Sequence, residues 1–177
     1  MRFRSSELDA SDLRRMFDES FAELPRVMPE VEDFLAIRLC SDAYSIRVRE
    51  IAGIAKMRRL TPVPSQASGL LGLIGIGGKI LPVFGLWALL GYLAPVEPGR
   101  WLVLAGAEER IALAFHELDG HVRLAKSGVR VDQDAGPSRN HVSEAVRMEG
   151  EVRPVISISS VLTAIRELPG RRLEKDG

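Results

Sequence analysis

The chain has 177 residues, with 24 basic and 24 acidic side chains and one cysteine. A chain of this length buries roughly 70% of its unfolded surface, so it needs no disulfide or metal ion to hold a core. A net charge of zero provides no overall field for nucleic acid or an anionic membrane. The lone Cys40 excludes an internal disulfide, which favours a reducing, cytoplasmic location.

Residues 1–33 differ in pattern from the rest and are predicted to form a partly helical extension. Ser11 is expected to cap a helix over residues 11–24, and Pro25 and Pro29 end it. The N-terminus lacks the apolar core of a signal peptide, and the longest apolar run is far below the roughly 20 residues of a membrane span. We expect no direct membrane insertion, and an extension that packs on the domain or on a partner.

Residues 34–49 alternate between apolar and polar side chains, with a turn at Ser41-Asp42. This period of two predicts a β-hairpin with one buried face, in which Cys40 is a small buried residue of the first strand. Residues 51–57 are predicted to continue as a strand. A glycine-rich loop, a strand over residues 79–84 and one helical turn ending at Gly91 follow. Because Pro82 lacks an N–H group, it predicts an edge position or a bulge.

The second half repeats this organisation. Strands are predicted at residues 101–105, 110–115, 142–148 and 152–158, a polar loop at 126–140, a helix at 160–168 and a charged tail at 169–177. About five short strands fall in each half, over residues of about 34–95 and 96–168. The prediction is a mainly β fold of two small packed barrels, because closure removes sheet edges. The order of strands can be exchanged between the two subdomains.

Two stretches of the sequence recur in the same order. Residues 78–90 return as 150–162 at a constant offset of 72, so that Pro82 and Pro154 correspond. Residues 44–54 return as 111–121 at an offset of 67, so that Glu50 and Glu117 correspond. The chain is therefore a degenerate tandem repeat of one β-rich unit.

Fragments that resemble catalytic motifs fail on their spacing. Residues 72–79 resemble a phosphate loop, but Leu73 stands where such a loop needs glycine, and Ile80 stands where it needs Ser or Thr. His116 and His121 are five residues apart, one too many for a zinc-binding H-E-x-x-H helix. The histidines are therefore expected to be surface or half-buried polar residues. Glu50 and Glu117 could form a carboxylate pair as in hydrolases, but we favour an anchoring role for each in its own turn. No cofactor is expected.

The motifs together resemble the CheW family of adaptors, which couple chemoreceptors to the CheA histidine kinase. The family pattern is E-x-Y-x-I-x-V-x-x-V-x-E-I, then P-x-x-P, then G-x-x-N-L-R-G-x-x-L-P-V-x-D-L. The likeness extends over residues 34–168, and residues 111–120 resemble the later L-x-V-D-E-V-x-G. The matching residues of the first half are Tyr44, Ile46, Val48, Glu50, Ile51, Pro62, Gly72, Ile76, Gly78, Ile80, Leu81, Pro82, Val83 and Leu86.

The resemblance implies two pseudo-symmetric five-stranded SH3-like β-barrels and a non-enzymatic adaptor. It implies binding to the regulatory domain of a CheA-type kinase and, through the groove between the barrels, to the tip of a methyl-accepting chemoreceptor. The implied partner-binding residues are Val48, Glu50, Ile51, Gly72, Gly75, Ile76 and Gly77. The alternative is a module with the same fold that recruits another partner, or competes for the kinase, without coupling to receptors.

The sequence departs from the family pattern at three positions. Gly75, Gly77 and Gly85 stand where the family has asparagine, arginine and aspartate. The loss of the arginine removes several directed hydrogen-bond donors, which a glycine cannot supply. The fold is expected to persist, whereas the receptor contact implied by the resemblance loses a main donor.

Overall fold

The computed structural model of this chain describes residues 30–65, 67–93, 95, 97, 99–106, 111–126, 129–130, 140–148 and 150–168. The predicted helix at residues 11–24, most of the predicted loop at 126–140 and the charged tail lie outside these residues. The described part is mainly β, as predicted. The expected boundaries of the extension, the two subdomains and the tail stay predictions.

Strands account for most of the described elements. In chain order they are β1 (Val31–Leu39), β2 (Asp42–Arg47), a 3₁₀ turn (Val48–Glu50), β3 (Ile51–Lys56), β4 (Leu70–Ile76), β5 (Lys79–Gly85), a short helix (Leu86–Leu89), β6 (Trp101–Ala105), β7 (Ile111–Phe115), β8 (Glu117–Ala125), β9 (Val129–Arg130), β10 (Val142–Met148), β11 (Glu151–Ile156) and a last helix (Ile158–Glu167).

The strands form two sheets. The first has the order β8-β1-β2-β11-β10-β9, and the second has the order β3-β6-β7-β5-β4. Strand β3 follows β2 in the chain but lies in the other sheet, and β8 follows β7 in the same way. Each sheet therefore combines strands from both sequence repeats.

The strand pairing follows the two sequence offsets. Strand β5 pairs in parallel with β7 from Val83 to Gly85, and β11 pairs in parallel with β2 at Val155 and Ile156. The bulge of β4 between Leu70 and Gly72 has its counterpart in β10 between residues 142 and 144. The two repeats therefore share their pattern of backbone hydrogen bonds as well as their pattern of side chains.

The position of Pro82 differs from the prediction. Strand β5 lies between β4 and β7 in the second sheet, so it is not an edge strand, and the bulge lies in β4. Parallel pairing with β7 begins at Val83, one residue after the proline. Pro154 likewise lies one residue before the parallel pairing of β11. The interior strand tolerates the proline because that residue lies outside the segment paired with β7.

Three apolar clusters hold the fold together. The largest cluster contains residues of strands from both sheets and residues of the last helix. Ile37, Leu113 and Ile165 are completely buried in it. A second cluster belongs to the second sheet around Trp87, and a third belongs to the first sheet around Phe34. Consecutive residues of β7 alternate between the first and second clusters, so both faces of that strand are buried.

Cys40 is not in a strand, contrary to the expectation. Strand β1 ends at Leu39 and β2 begins at Asp42, which leaves Cys40 and Ser41 as a two-residue turn. Cys40 is exposed and has a positive φ of 58°. Two-residue hairpin turns commonly require such dihedrals, and the alternating pattern of the sequence did not separate the last strand residue from the turn.

Candidate partner-binding surface

Three predicted contact residues lie where the chain crosses from the first sheet to the second. Val48 and Glu50 belong to the 3₁₀ turn, and Ile51 is the first residue of β3. All three are half-buried. Val48 and Ile51 pack against the largest apolar cluster, so much of their side-chain surface is used inside the domain.

Glu50 connects this crossing to the last helix. Its Oε2 accepts a hydrogen bond of 2.7 Å from the backbone N–H of Ile158, the first helical residue. The side chain of Ser157 accepts another from the N–H of Ser160. A helix leaves its first four N–H groups without partners inside the helix, and these two side chains satisfy two of them. The corresponding Glu117 is exposed. The sequence predicted that each glutamate anchors the turn of its own repeat, whereas Glu50 anchors the last helix, which belongs to the other repeat.

A buried arginine, Arg47, lies beside the crossing. The sequence predicted a hairpin with one buried apolar face, and Arg47 was therefore expected on the exposed face. The side chain of Arg47 is 9% exposed, its Nε lies 3.2 Å from Glu32 Oε1, and its Nη2 donates to Glu144. Its Nη1 lies 3.8 Å from Glu50 Oε1. Burial acts to lower the pKa of Arg47, but Glu144 and Glu32 outweigh it and the net pKa is raised. The guanidinium therefore stays charged and joins β1, β2 and β10.

Gly72 has a structural role in β4. Its φ is +146°, and a Cβ placed there would lie 2.6 Å from the carbonyl oxygen of Thr61. The segment around Thr61 forms two backbone hydrogen bonds of 2.8 Å with Leu73. Glycine is needed here because the two backbones approach so closely. Gly72 is buried. It therefore stabilises the pairing of β4 with the segment around Thr61 and does not offer a surface to a partner.

The exposed part of the predicted site is the tip of the β4–β5 hairpin, formed by residues 75–80. Gly75 and Gly77 are exposed, and the space above each is open. Gly77 and Gly78 form a two-residue turn with φ of 58° and 75°. Ile76 is half-buried against the core of the second sheet. Ile80 lies opposite Gly75 and is 72% exposed, so the tip presents one large apolar side chain on a glycine surface.

Ile80 has a counterpart in the other repeat. Val152 lies at the same position of the β10–β11 hairpin, at the offset of 72, and is 42% exposed. The sequence comparison paired these two residues, but their exposure became visible only when both hairpins were placed. Substitutions of Ile80 and Val152 can therefore be compared directly, because the two residues occupy equivalent positions in the two repeats.

Gly85, the third departure from the family pattern, is explained by its neighbour. A Cβ at Gly85 would lie 2.6 Å from Cε2 of Trp87, whose indole is buried. Gly85 precedes the short helix without a side-chain cap, whereas Ser157 caps the last helix at the equivalent position. In this half the indole of Trp87 occupies the space that a capping side chain at residue 85 would need.

The structure gives other roles to the fragments that resemble catalytic motifs. Residues 70–85 form a hairpin, with no helix at Lys79 to receive a phosphate. His116 Nδ1 accepts the backbone N–H of Cys40 at 3.0 Å, and exposed His121 lies 2.9 Å from Asp33. Within the described residues, no three side chains are grouped as metal ligands, and no helix is long and apolar enough to cross a bilayer.

The two sheets with exchanged strands, together with the hairpin tip, define a CheW-like domain. The sequence profile of the CheW-like domain family matches residues 33–166, and the chain belongs to this family. The predicted resemblance and fold are confirmed.

Among solved structures, the crystal structure of scaffolding protein TtCheW from Thermoanaerobacter tengcongensis matches with a TM-score of 0.63 and 13% identity, over 72% of this chain and 90% of that one. At this identity the likeness concerns the fold. A comparison with curated protein sequences gave no match.

Proposed function

We propose that this chain is a non-enzymatic adaptor of a bacterial chemosensory or motility pathway, which couples a CheA-type histidine kinase to chemoreceptors. Membership of the CheW-like family supports a role as an adaptor in chemotaxis. The similar TtCheW is itself named a scaffolding protein. No cofactor enters the proposal, and the cytoplasmic location expected from the sequence stays a prediction.

One observation supports a protein-binding role most directly, namely the exposed isoleucine on the glycine surface of the hairpin tip. Ile80 is 72% exposed although it is a large apolar residue. Such residues form the desolvated centre of protein interfaces, where the neighbouring surface must be flat enough to exclude water. Gly75 and Gly77 provide that flatness because they lack side chains. The regulatory domain of a CheA-type kinase, which shares this barrel fold according to the family resemblance, is the partner we propose for it.

The test is calorimetry of the purified chain with the regulatory domain of a CheA-type kinase from the same organism. Ile80→Asp is expected to weaken binding more than roughly tenfold, because it places a charge in an apolar contact. Val152→Asp is the matched control at the equivalent position and should bind as the parent does. Val48→Asp and a charge reversal at Glu50 are poorer probes, since both side chains also serve the interior.

Two outcomes would contradict the proposal. A folded parent that shows no heat of binding at high concentration would exclude kinase coupling through this domain. Equal losses for Ile80→Asp and Val152→Asp would exclude the hairpin tip as the contact surface, even if the kinase domain binds.

A second candidate is a module that binds the kinase, or another partner, without coupling to receptors. The observation in its favour is that the tip offers no side-chain donor at Gly75 or Gly77, where the family pattern has asparagine and arginine. Gly77→Arg places a guanidinium in open space, at a backbone cost of about 1 kcal/mol for a positive φ. A gain in receptor binding would show that the surface still accepts receptors. Kinase binding without any receptor binding, in parent and variant, favours the second candidate.

A further inference from the structure

The ion pairs of the domain are distributed unevenly. On the first sheet and the crossing beside it, five arginines each lie within 4 Å of a carboxylate: Arg38, Arg47, Arg49, Arg123 and Arg153. In contrast, the described residues from 51 to 115 contain one carboxylate, Glu97. The cations of that part are Lys56, Arg58, Arg59, Lys79 and Arg100.

Four of these cations belong to two segments that meet at one end of the second sheet. Lys56 ends β3 and lies opposite Trp101, and the backbone N–H of Met57 donates to the carbonyl of Arg100 at 2.9 Å. The segment 56–59 therefore starts beside residues 100–101. We call Lys56, Arg58, Arg59 and Arg100 the basic patch. All four side chains are exposed.

The charge of the basic patch is only weakly compensated within the described residues. Arg100 forms a 3.3 Å ion pair with Glu97, but both side chains are more than 70% exposed, so the pair contributes little. The ammonium of Lys56 lies 5.6 Å from the centre of the Trp101 ring. Arg58 and Arg59 have no carboxylate within ion-pair distance among the described residues. Among the described residues of the second sheet, the basic patch is therefore a local excess of positive charge, although the net charge of the chain is zero.

An exposed apolar side chain continues the basic patch along β3. Ile54 is 41% exposed and lies two residues before Lys56 on the same face of the strand. Strand β3 is at the edge of its sheet. A positive patch next to an apolar edge is complementary to a protein segment that carries both carboxylates and apolar residues. Nucleic acid fits less well, because Lys56 covers Trp101 and the patch offers no other aromatic ring for base stacking.

We propose that the basic patch and the adjoining edge of β3 bind an acidic segment of a partner protein, with Arg58 and Arg59 as the main contacts to its carboxylates. The basic patch consists of other residues than the hairpin tip proposed for the kinase, and the peptide test below uses neither the kinase nor a receptor.

The probe is a short fluorescein-labelled peptide in which glutamate alternates with leucine and serine, followed by fluorescence anisotropy. We expect binding that weakens as salt is raised, and a loss of about tenfold in the double variant Arg58→Gln and Arg59→Gln. The matched control is Arg49→Gln with Arg123→Gln, which removes the same charge from side chains that are each 64% exposed. It should retain the affinity of the parent. Thermal melting establishes that all variants are folded.

Three results would overturn the proposal. The first is no binding of the peptide, or equal binding of a peptide with glutamine in place of glutamate. The second is an equal loss in the double variant and its control. The third is tighter binding of single-stranded RNA, or of phosphatidylglycerol vesicles, than of the acidic peptide, since the patch would then serve a phosphate-bearing partner.

Discussion

Replacing Glu50 by alanine should destabilise the domain through the last helix. The substitution removes the acceptor that lies 2.7 Å from the backbone N–H of Ile158. Loss of a capping acceptor costs about 1 kcal/mol, and loss of a negative charge at a helix N-terminus costs about 0.3–1 kcal/mol more. The contact with Arg47 at 3.8 Å adds little, because that guanidinium keeps Glu32 and Glu144. The expected decrease in the free energy of unfolding is about 1–2 kcal/mol.

Urea denaturation followed by circular dichroism measures this change, and the thermal midpoint should fall by roughly 2–8 °C for a domain of this size. Glu50→Gln should lose less than alanine does, since its amide oxygen still accepts a hydrogen bond. Glu117→Ala is the control from the other repeat, and a change within about 0.5 kcal/mol is expected for an exposed side chain. If Glu50→Ala and Glu117→Ala cost the same, Glu50 does not hold the helix and the reasoning fails.

Three further changes test the interior and the surface. Arg47→Ala removes the cation beside half-buried Glu144 and leaves Glu32 with Arg49 alone, so it should cost about 3 kcal/mol in urea denaturation, and an unchanged midpoint would show that the charges are not coupled. The hydrogen bond from Arg123 lowers the pKa of Asp33, so its contribution to stability is present above pH 3.8 and is lost as the pH falls through the lower folded value. Asp33→Asn should therefore flatten the stability curve in that acidic range, and parallel curves would contradict the pairing. Gly85→Ala places a methyl group against Trp87 and should cost about 1–3 kcal/mol, but clearly less when Trp87 is already leucine.

Local patterns predicted most of the strands, because their apolar and polar residues alternate. Two of the longer strands were missed: residues 70–76, expected as a glycine-rich loop, form β4, and residues 117–125 form β8. The glycines of β4 concealed its strand pattern. The internal repeat predicted more than similarity of sequence, since the bulges and the parallel pairings recur at the same offsets. The sequence could not establish which strands share a sheet, because β3 and β8 cross at turns that a local pattern cannot distinguish from a hairpin. Cys40 was misplaced for a related reason, as the alternation continues by one residue into the turn.

Side-chain roles were harder to predict than strands. Arg47 lies on the polar phase of an alternating run, and its burial depends on carboxylates that are distant in sequence, at residues 32 and 144. The predicted contact residues divide into an interior group, which includes Glu50 and Gly72, and an exposed group at the hairpin tip. Exposure separates the two groups, and a single sequence contains no direct measure of it.

The crossing of β3 and β8 also determines how the protein can be divided. A fragment that contains only the first repeat would hold β1 and β2 without β11, and β3 without β6, so neither sheet would be complete in it. The two barrels should consequently fold and unfold together, with a single unfolding transition. Two separate copies of such a repeat could complete each other only by trading strands, so the arrangement resembles a domain-swapped dimer whose subunits are joined in one chain.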